Sequence, residues 1–164
     1  MKTLLALAVV ALVSLARPLP AATDFSEFAG TYKGNYQFVA DSIVLSGKLE
    51  AVATPSKNGK SVTVVISGAA SQGPQSVASY AKIKLNSANR KISMNSVLVG
   101  YYVLLPGNGK FTGKKNKLKF TVSEGSLSAT MSYVLKFTGK KLVLKGTGNA
   151  ASTPITVTFN GKKK

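Results

Sequence analysis

Leu127-Ser128-Ala129-Thr130-Met131-Ser132-Tyr133-Val134-Leu135-Lys136-Phe137-Thr138-Gly139-Lys140-Lys141-Leu142-Val143-Leu144-Lys145-Gly146-Thr147-Gly148 decides the fold. Leu127, Ala129, Met131, Tyr133, Leu135 and Phe137 take every second position, and Ser128, Thr130, Ser132, Val134, Lys136 and Thr138 fill the gaps. Successive side chains of a strand point to opposite faces, so this alternation reads as a strand with one buried face. Gly139-Lys140 then reads as a two-residue turn. It sets Phe137 opposite Leu142, Leu135 opposite Leu144 and Tyr133 opposite Gly146.

The same test works outward. A slip of one residue would turn a whole apolar face to solvent, so a correct turn must keep apolar opposite apolar. A turn at Lys115-Asn116 sets Phe111 opposite Phe120 and Gly113 opposite Leu118. A turn at Glu124-Gly125 sets Val122 opposite Leu127, Phe120 opposite Ala129 and Leu118 opposite Met131. A turn at Asn58-Gly59 sets Ala53 opposite Val64, Ala51 opposite Ile66 and Leu49 opposite Gly68. Residues 110–148 therefore read as a four-strand antiparallel meander.

Other alternating faces are Tyr32 to Ala40, Ile43 to Ala53, Val62 to Gly68, Ala81 to Leu85 and Ile155 to Phe159. Val97 to Leu105 is nearly continuous in apolar residues and reads as a strand covered on both faces. A turn is expected near Gly73-Pro74. Only Asp24-Phe25-Ser26-Glu27-Phe28 has helical character, a single turn that Asp24 and Glu27 would cap. About eight to ten strands with short connections predict an all-β antiparallel meander. An up-and-down β-barrel, lipocalin-like in shape, is preferred over a two-layer sandwich, because closure removes exposed edges.

The N-terminus has a different character. Lys2 precedes an apolar stretch from Leu4 to Leu15, followed by the small residues Ala21-Ala22. This is the pattern of a secretory signal peptide, and the stretch is shorter than the roughly 20 apolar residues a membrane span needs. Residues 1–22 are expected to be removed, leaving 23–164 as one β domain that is secreted or periplasmic. Ser14-Leu15-Ala16 offers a second cut site.

Composition closes several chemistries. The chain has no His, Cys or Trp, so Ser-His-Asp and Cys-His catalysis and His/Cys zinc sites are not available to it. The five acidic residues, Asp24, Glu27, Asp41, Glu50 and Glu124, form no paired-carboxylate motif. No strand leads a phosphate-binding glycine loop into a helix. The expectation is a non-enzymatic binding or structural module without metal or cofactor.

The strongest positive signal is charge. The chain carries 22 Lys+Arg against 5 Asp+Glu, a formal +17. Without Lys2 and Arg17, 20 cations face 5 acids, and 12 of those cations with a single acid fall in residues 106–164. Lys110, Lys114, Lys115, Lys117, Lys119, Lys136, Lys140, Lys141 and Lys145 lie within one meander, as a candidate polyanion-binding field. Its partners would be anionic polysaccharide, an envelope surface or extracellular nucleic acid. The competing role for such lysines is to guard strand edges and keep the protein soluble. A transmembrane barrel is not expected, because the face carrying Ser128, Thr130, Ser132, Lys136 and Thr138 is too polar to meet lipid.

Tyr32, Tyr36, Phe38, Met131 and Tyr133 would line a barrel interior, as packed core or as the wall of a ligand cavity. Gly30-Thr31-Tyr32 resembles the Gly-x-Trp opening of the lipocalins, with Tyr in place of Trp, and no other lipocalin motif follows. The alternative function is accordingly a carrier of a small apolar ligand inside the barrel. The exported protein is predicted to begin at Thr23 and to leave the membrane fraction. Its intact mass checks this, and a retained N-terminus in the membrane would contradict it.

Overall fold

A computed structural model describes residues 23–98, 107–114, 117–124, 129–150 and 152–164; the expected signal, residues 1–22, lies outside them. Ten strands follow in chain order: β1 Gly30–Ala40, β2 Ile43–Pro55, β3 Ser61–Gln72, β4 Gln75–Asn86 and β5 Lys91–Leu98 come first. β6 Gly107–Lys114, β7 Lys117–Glu124, β8 Ala129–Thr138, β9 Lys141–Ala150 and β10 Thr153–Lys163 complete the set. Each pairs antiparallel with its neighbour in sequence, and β10 returns to pair with β1, so the sheet is a closed up-and-down barrel.

The alternation seen in the sequence becomes inside against outside. On β8, Ala129, Met131, Tyr133, Leu135 and Phe137 are buried, and Thr130, Ser132, Lys136 and Thr138 are exposed. The turn at Gly139-Lys140 gives the expected register, with Tyr133 opposite Gly146. Gly139 takes φ +47°, a conformation that glycine adopts without strain. Glycine is also required at 146, where an added Cβ would lie 2.4 Å from the Tyr133 ring. The register around Asn58-Gly59 pairs Ala53 with Val64 and Ala51 with Ile66 as expected. That across 115–116 pairs Phe111 with Phe120, although the turn residues themselves lie outside the described set.

One expectation needs correction. The turn expected at Glu124-Gly125 is not made there, because β7 runs through Glu124 and β8 begins only at Ala129. Phe120 therefore faces Tyr133 rather than Ala129, and Leu118 faces Leu135 rather than Met131. The slide is even-numbered, so the buried face is unchanged and the period-two rule cannot detect it. The observed register places large side chains opposite one another: the Phe120 and Tyr133 rings stack with centroids 5.2 Å apart. The strand expected over Val97 to Leu105 is met by β5 at Val97 and Leu98 and is not tested beyond them. β5 is Lys91–Leu98, with Ile92 and Met94 buried, and residues 99–106 lie outside the described set.

A barrel of ten strands encloses more space than the eight that side chains just fill. Here one contiguous apolar cluster occupies the interior, including Tyr32, Phe38, Phe111, Phe137 and Phe159, each at most 1 % exposed. One end is plugged. A single 3-10 turn, Ser26–Phe28, folds across it before β1 begins. Phe28 stacks on Phe137 with centroids 3.9 Å apart, and Phe25 meets the Phe111 ring at 6.4 Å. The Phe25 amide donates to the Gly59 carbonyl at 2.9 Å, and the Tyr32 hydroxyl donates to the Phe28 carbonyl at 3.0 Å. The capping expectation holds in part: Asp24 Oδ1 accepts from the Ser26 amide at 2.9 Å, ahead of the turn.

Candidate functional site

Antiparallel connectivity fixes which residues share an end of the barrel. β1 starts at the plugged end, so the turns at 56–60, 87–90, 115–116 and 139–140 and the C-terminus all return there. The second end carries the turns at 41–42 and 73–74 and the strand ends at Leu98, Gly107, Glu124, Ala129, Ala150 and Thr153. This geometry re-sorts the charge. Along the chain the cations concentrate in the C-terminal half, whereas the fold segregates them along the barrel axis. Lys33, Lys57, Lys60, Arg90 and Lys91 join Lys114, Lys117, Lys136, Lys140, Lys141 and Lys162 to Lys164 at or near the plugged end. Residues 37–47, 69–79, 95–98, 107–109, 121–124, 129–135, 146–150 and 152–161 contain no Lys or Arg. The acids divide: Asp41 and Glu124 lie at the second end, and Asp24, Glu27 and Glu50 at or near the plugged one, where cations outnumber them.

Of the lysines read as a binding field, Lys110, Lys117, Lys119, Lys136, Lys140, Lys141 and Lys145 are exposed on the outer wall or a turn. Lys114 pairs by backbone with Lys117, and Lys115 lies outside the described residues. The register sets several lysines directly opposite one another: Lys91 and Lys110, Lys114 and Lys117, Lys117 and Lys136, Lys141 and Lys162, and Lys33 and Lys162. Opposed like charges destabilise a sheet. Glu50 makes exposed ion pairs with Lys33 at 3.5 Å and Lys164 at 3.6 Å, and such pairs offset this only slightly. Arg90 is engaged elsewhere, donating to the Gly113 carbonyl at 3.2 Å with its guanidinium 5.7 Å from the Phe111 ring centre. Reading charge along the chain misses the N-terminal cations; counting turns from the barrel's start would find them.

The five residues read as a cavity wall all point inward: Tyr32, Phe38, Met131 and Tyr133 are 0–3 % exposed, and Tyr36 is 9 % exposed. A side chain lining a hollow would keep surface open to a water-sized sphere. Tyr36, Tyr133 and Ser79 form a small polar island in the core. Burial pushes the Tyr36 hydroxyl up to about 12, and burial with the neighbouring Tyr36 pushes Tyr133 higher still. Ser79 lies beside Tyr36, but its buried hydroxyl makes no full hydrogen bond among the described residues. Those residues also contain no group of three or more acids that could hold a metal. On the outer wall the exposed large apolar side chains are Val44, Val52 and Tyr80, none above 42 %.

No protein-family model matches the chain, and no curated relative matches it. Among solved structures it is similar to the crystal structure of a "putative outer membrane protein" of Bacteroides fragilis, at 10% identity and a TM-score of 0.22. The match covers 86% of this chain and all of that one, and a likeness at that score says nothing about what this chain does.

The polar island makes stability depend on alkaline pH. The folded values of Tyr36 and Tyr133 lie above the ordinary 10.0, so above pH 10 the unfolded chain binds fewer protons than the folded one. Stability is complete below pH 10 and falls as pH rises from there towards about 12, at up to ~1.4 kcal/mol per unit for each tyrosine. Urea midpoints across that window should fall less steeply for Tyr36→Phe than for wild type. Parallel slopes would contradict the assignment.

Proposed function

We propose that this chain is an exported, non-enzymatic β-barrel whose basic half binds anionic polymers of the envelope or extracellular space. The observation that carries the reading is the axial segregation of charge on a closed barrel. Lysines commonly guard the open edges of sheets. Here β1 pairs with β10, so neither the first strand nor the last is an edge to guard. What remains is solubility or a ligand. Solubility needs charge spread over the surface, with no reason to crowd lysines opposite lysines at one end. A strong excess of positive charge focused on one end, only partly offset by Asp24, Glu27 and Glu50, attracts polyanions.

The chemistry of the field supports loose recognition. Its cations are lysines apart from Arg90, which is occupied by Gly113 and Phe111. Lysine acts as a hydrated point charge without the bidentate fork that reads a fixed geometry. The polar outer wall supports a barrel that stands outside the bilayer, since a lipid-facing wall needs an apolar band. The alternative, a carrier of an apolar ligand, draws less support: Phe38 at 0 % and Met131 at 3 % exposure leave no open surface beside them.

Retention on immobilised heparin over a salt series tests the reading, with wild type against a variant in which Lys114, Lys115, Lys117, Lys140 and Lys141 are changed to Gln. Each lysine–anion pairing removed should lower the slope of log affinity against log salt by roughly 0.7–0.9, so the variant should elute far earlier while staying folded. Equal retention would make the field a solubility device. Binding insensitive to salt would point to a shaped pocket. Either result would overturn the proposal.

A further inference from the structure

The outer wall is not uniformly convex. Two shallow, open grooves lie side by side on it over β4 to β9. In the first, Lys110, Lys119 and Lys145 stand around the hydroxyls of Thr121, Ser132 and Thr147. Thr121 Oγ1 and Ser132 Oγ lie 3.2 Å apart, a hydrogen-bonded pair on the groove floor. In the second, Lys84, Lys91 and Lys110 stand around Asn86, Asn89 and Asn108. Lys110 belongs to both, so the grooves form one track, and no carboxylate lines either.

We propose, resting on the polyanion reading above, that the lysines of the plugged end gather the polymer and that this track on the wall selects it, the ligand being a linear acidic polysaccharide, carboxylated or sulfated. Three features favour that class. Ammonium groups at intervals match the acidic groups of the polymer. Hydroxyls and amides between them both donate and accept, as sugar hydroxyls require. The track crosses six adjacent strands, roughly 24 Å at the usual interstrand spacing, which suits several sugar units in a row. Single-stranded nucleic acid is held largely by stacking on aromatic rings and arginine; the track is lined by no exposed aromatic, and the adjacent Arg90 is held by the Gly113 carbonyl and over the Phe111 ring. A membrane would meet the rim of the plugged end rather than a groove in the wall.

A third groove supplies the control. It holds Lys33, Lys48 and Lys162, but Glu50 lies in its wall and Lys33 is 3.5 Å from that carboxylate. The test compares wild type, a track variant (Lys91→Gln, Lys110→Gln, Lys119→Gln) and a control variant (Lys33→Gln, Lys48→Gln, Lys162→Gln), which lose the same formal charge. A fourth protein, Thr121→Ala with Ser132→Ala, keeps every charge. Binding is measured to heparin, to polygalacturonate and to single-stranded DNA at one ionic strength, with circular dichroism confirming that each variant is folded. The expected result is a loss of at least about tenfold on either polysaccharide for the track variant. The control variant should lose clearly less, and the alanine pair should weaken polysaccharide but not DNA. Equal losses for the two triple variants would overturn the track while leaving polyanion binding standing. Tighter binding of DNA than of either polysaccharide, lost in the track variant, would overturn the ligand class. No binding of wild type to any of the three polymers would remove the underlying reading as well.

Discussion

The β1–β10 ladder, from Tyr32 opposite Lys163 to Ala40 opposite Ile155, is the constraint on which the rest depends. It joins the first strand to the last and turns a meander into a barrel. Every strand then has two partners, the β5–β6 ladder being the short one at Lys91 to Met94, and neither β1 nor β10 is left as an edge for another chain to pair with. The Lys164 amide extends the ladder by donating to the Thr31 carbonyl at 3.0 Å. Closure brings both ends of the described chain to one end of the barrel, so the N-terminal turn can plug it and the terminal lysines can add to its charge. A domain without disulfides depends on such ladders and on its core.

The interior shows how a wide barrel is filled. Aromatic rings occupy the plugged half, where Phe25 and Phe28 close the end over Phe111 and Phe137. Further along, Gly146 makes room for the Tyr133 ring lying across it. Burying a large aromatic side chain contributes about 1.5–3 kcal/mol, so a few such rings count heavily against the marginal stability of a small domain. The Tyr36–Ser79–Tyr133 island runs the other way, since buried hydroxyls with incomplete hydrogen bonding cost stability.

Much of this is legible in the sequence, and the misses have physical causes. Period two assigns each side chain to a face but fixes register only to within an even number of residues. That is why the inward set of β7 and β8 is correct while the turn at Glu124-Gly125 is not. The start of β5 goes unread because Lys91-Ile92-Ser93-Met94 is a short, weak alternation beside the long apolar run 97–105. Phe25 and Phe28 look like the ends of a capped turn, and nothing local says that a turn closes a barrel. Charge is legible in amount but not in place. Only the antiparallel order reveals that Lys57 and Lys140, far apart in sequence, sit at the same end.

That arrangement has a stability cost. Lysines opposed across five strand positions repel one another, and Glu50 holds the nearby ion pairs. The barrel tolerates this because closure, packing and the aromatic plug do not depend on those side chains. If the sheet were open, the same lysines would need no explanation beyond edge protection, so closure is the claim that everything else requires. Native-state amide hydrogen exchange along β1 and β10 tests it most directly. A closed barrel predicts that consecutive amides of both strands are protected as strongly as those of the β8–β9 hairpin. Free exchange at every second amide along either strand, the signature of an unpaired edge, would contradict it.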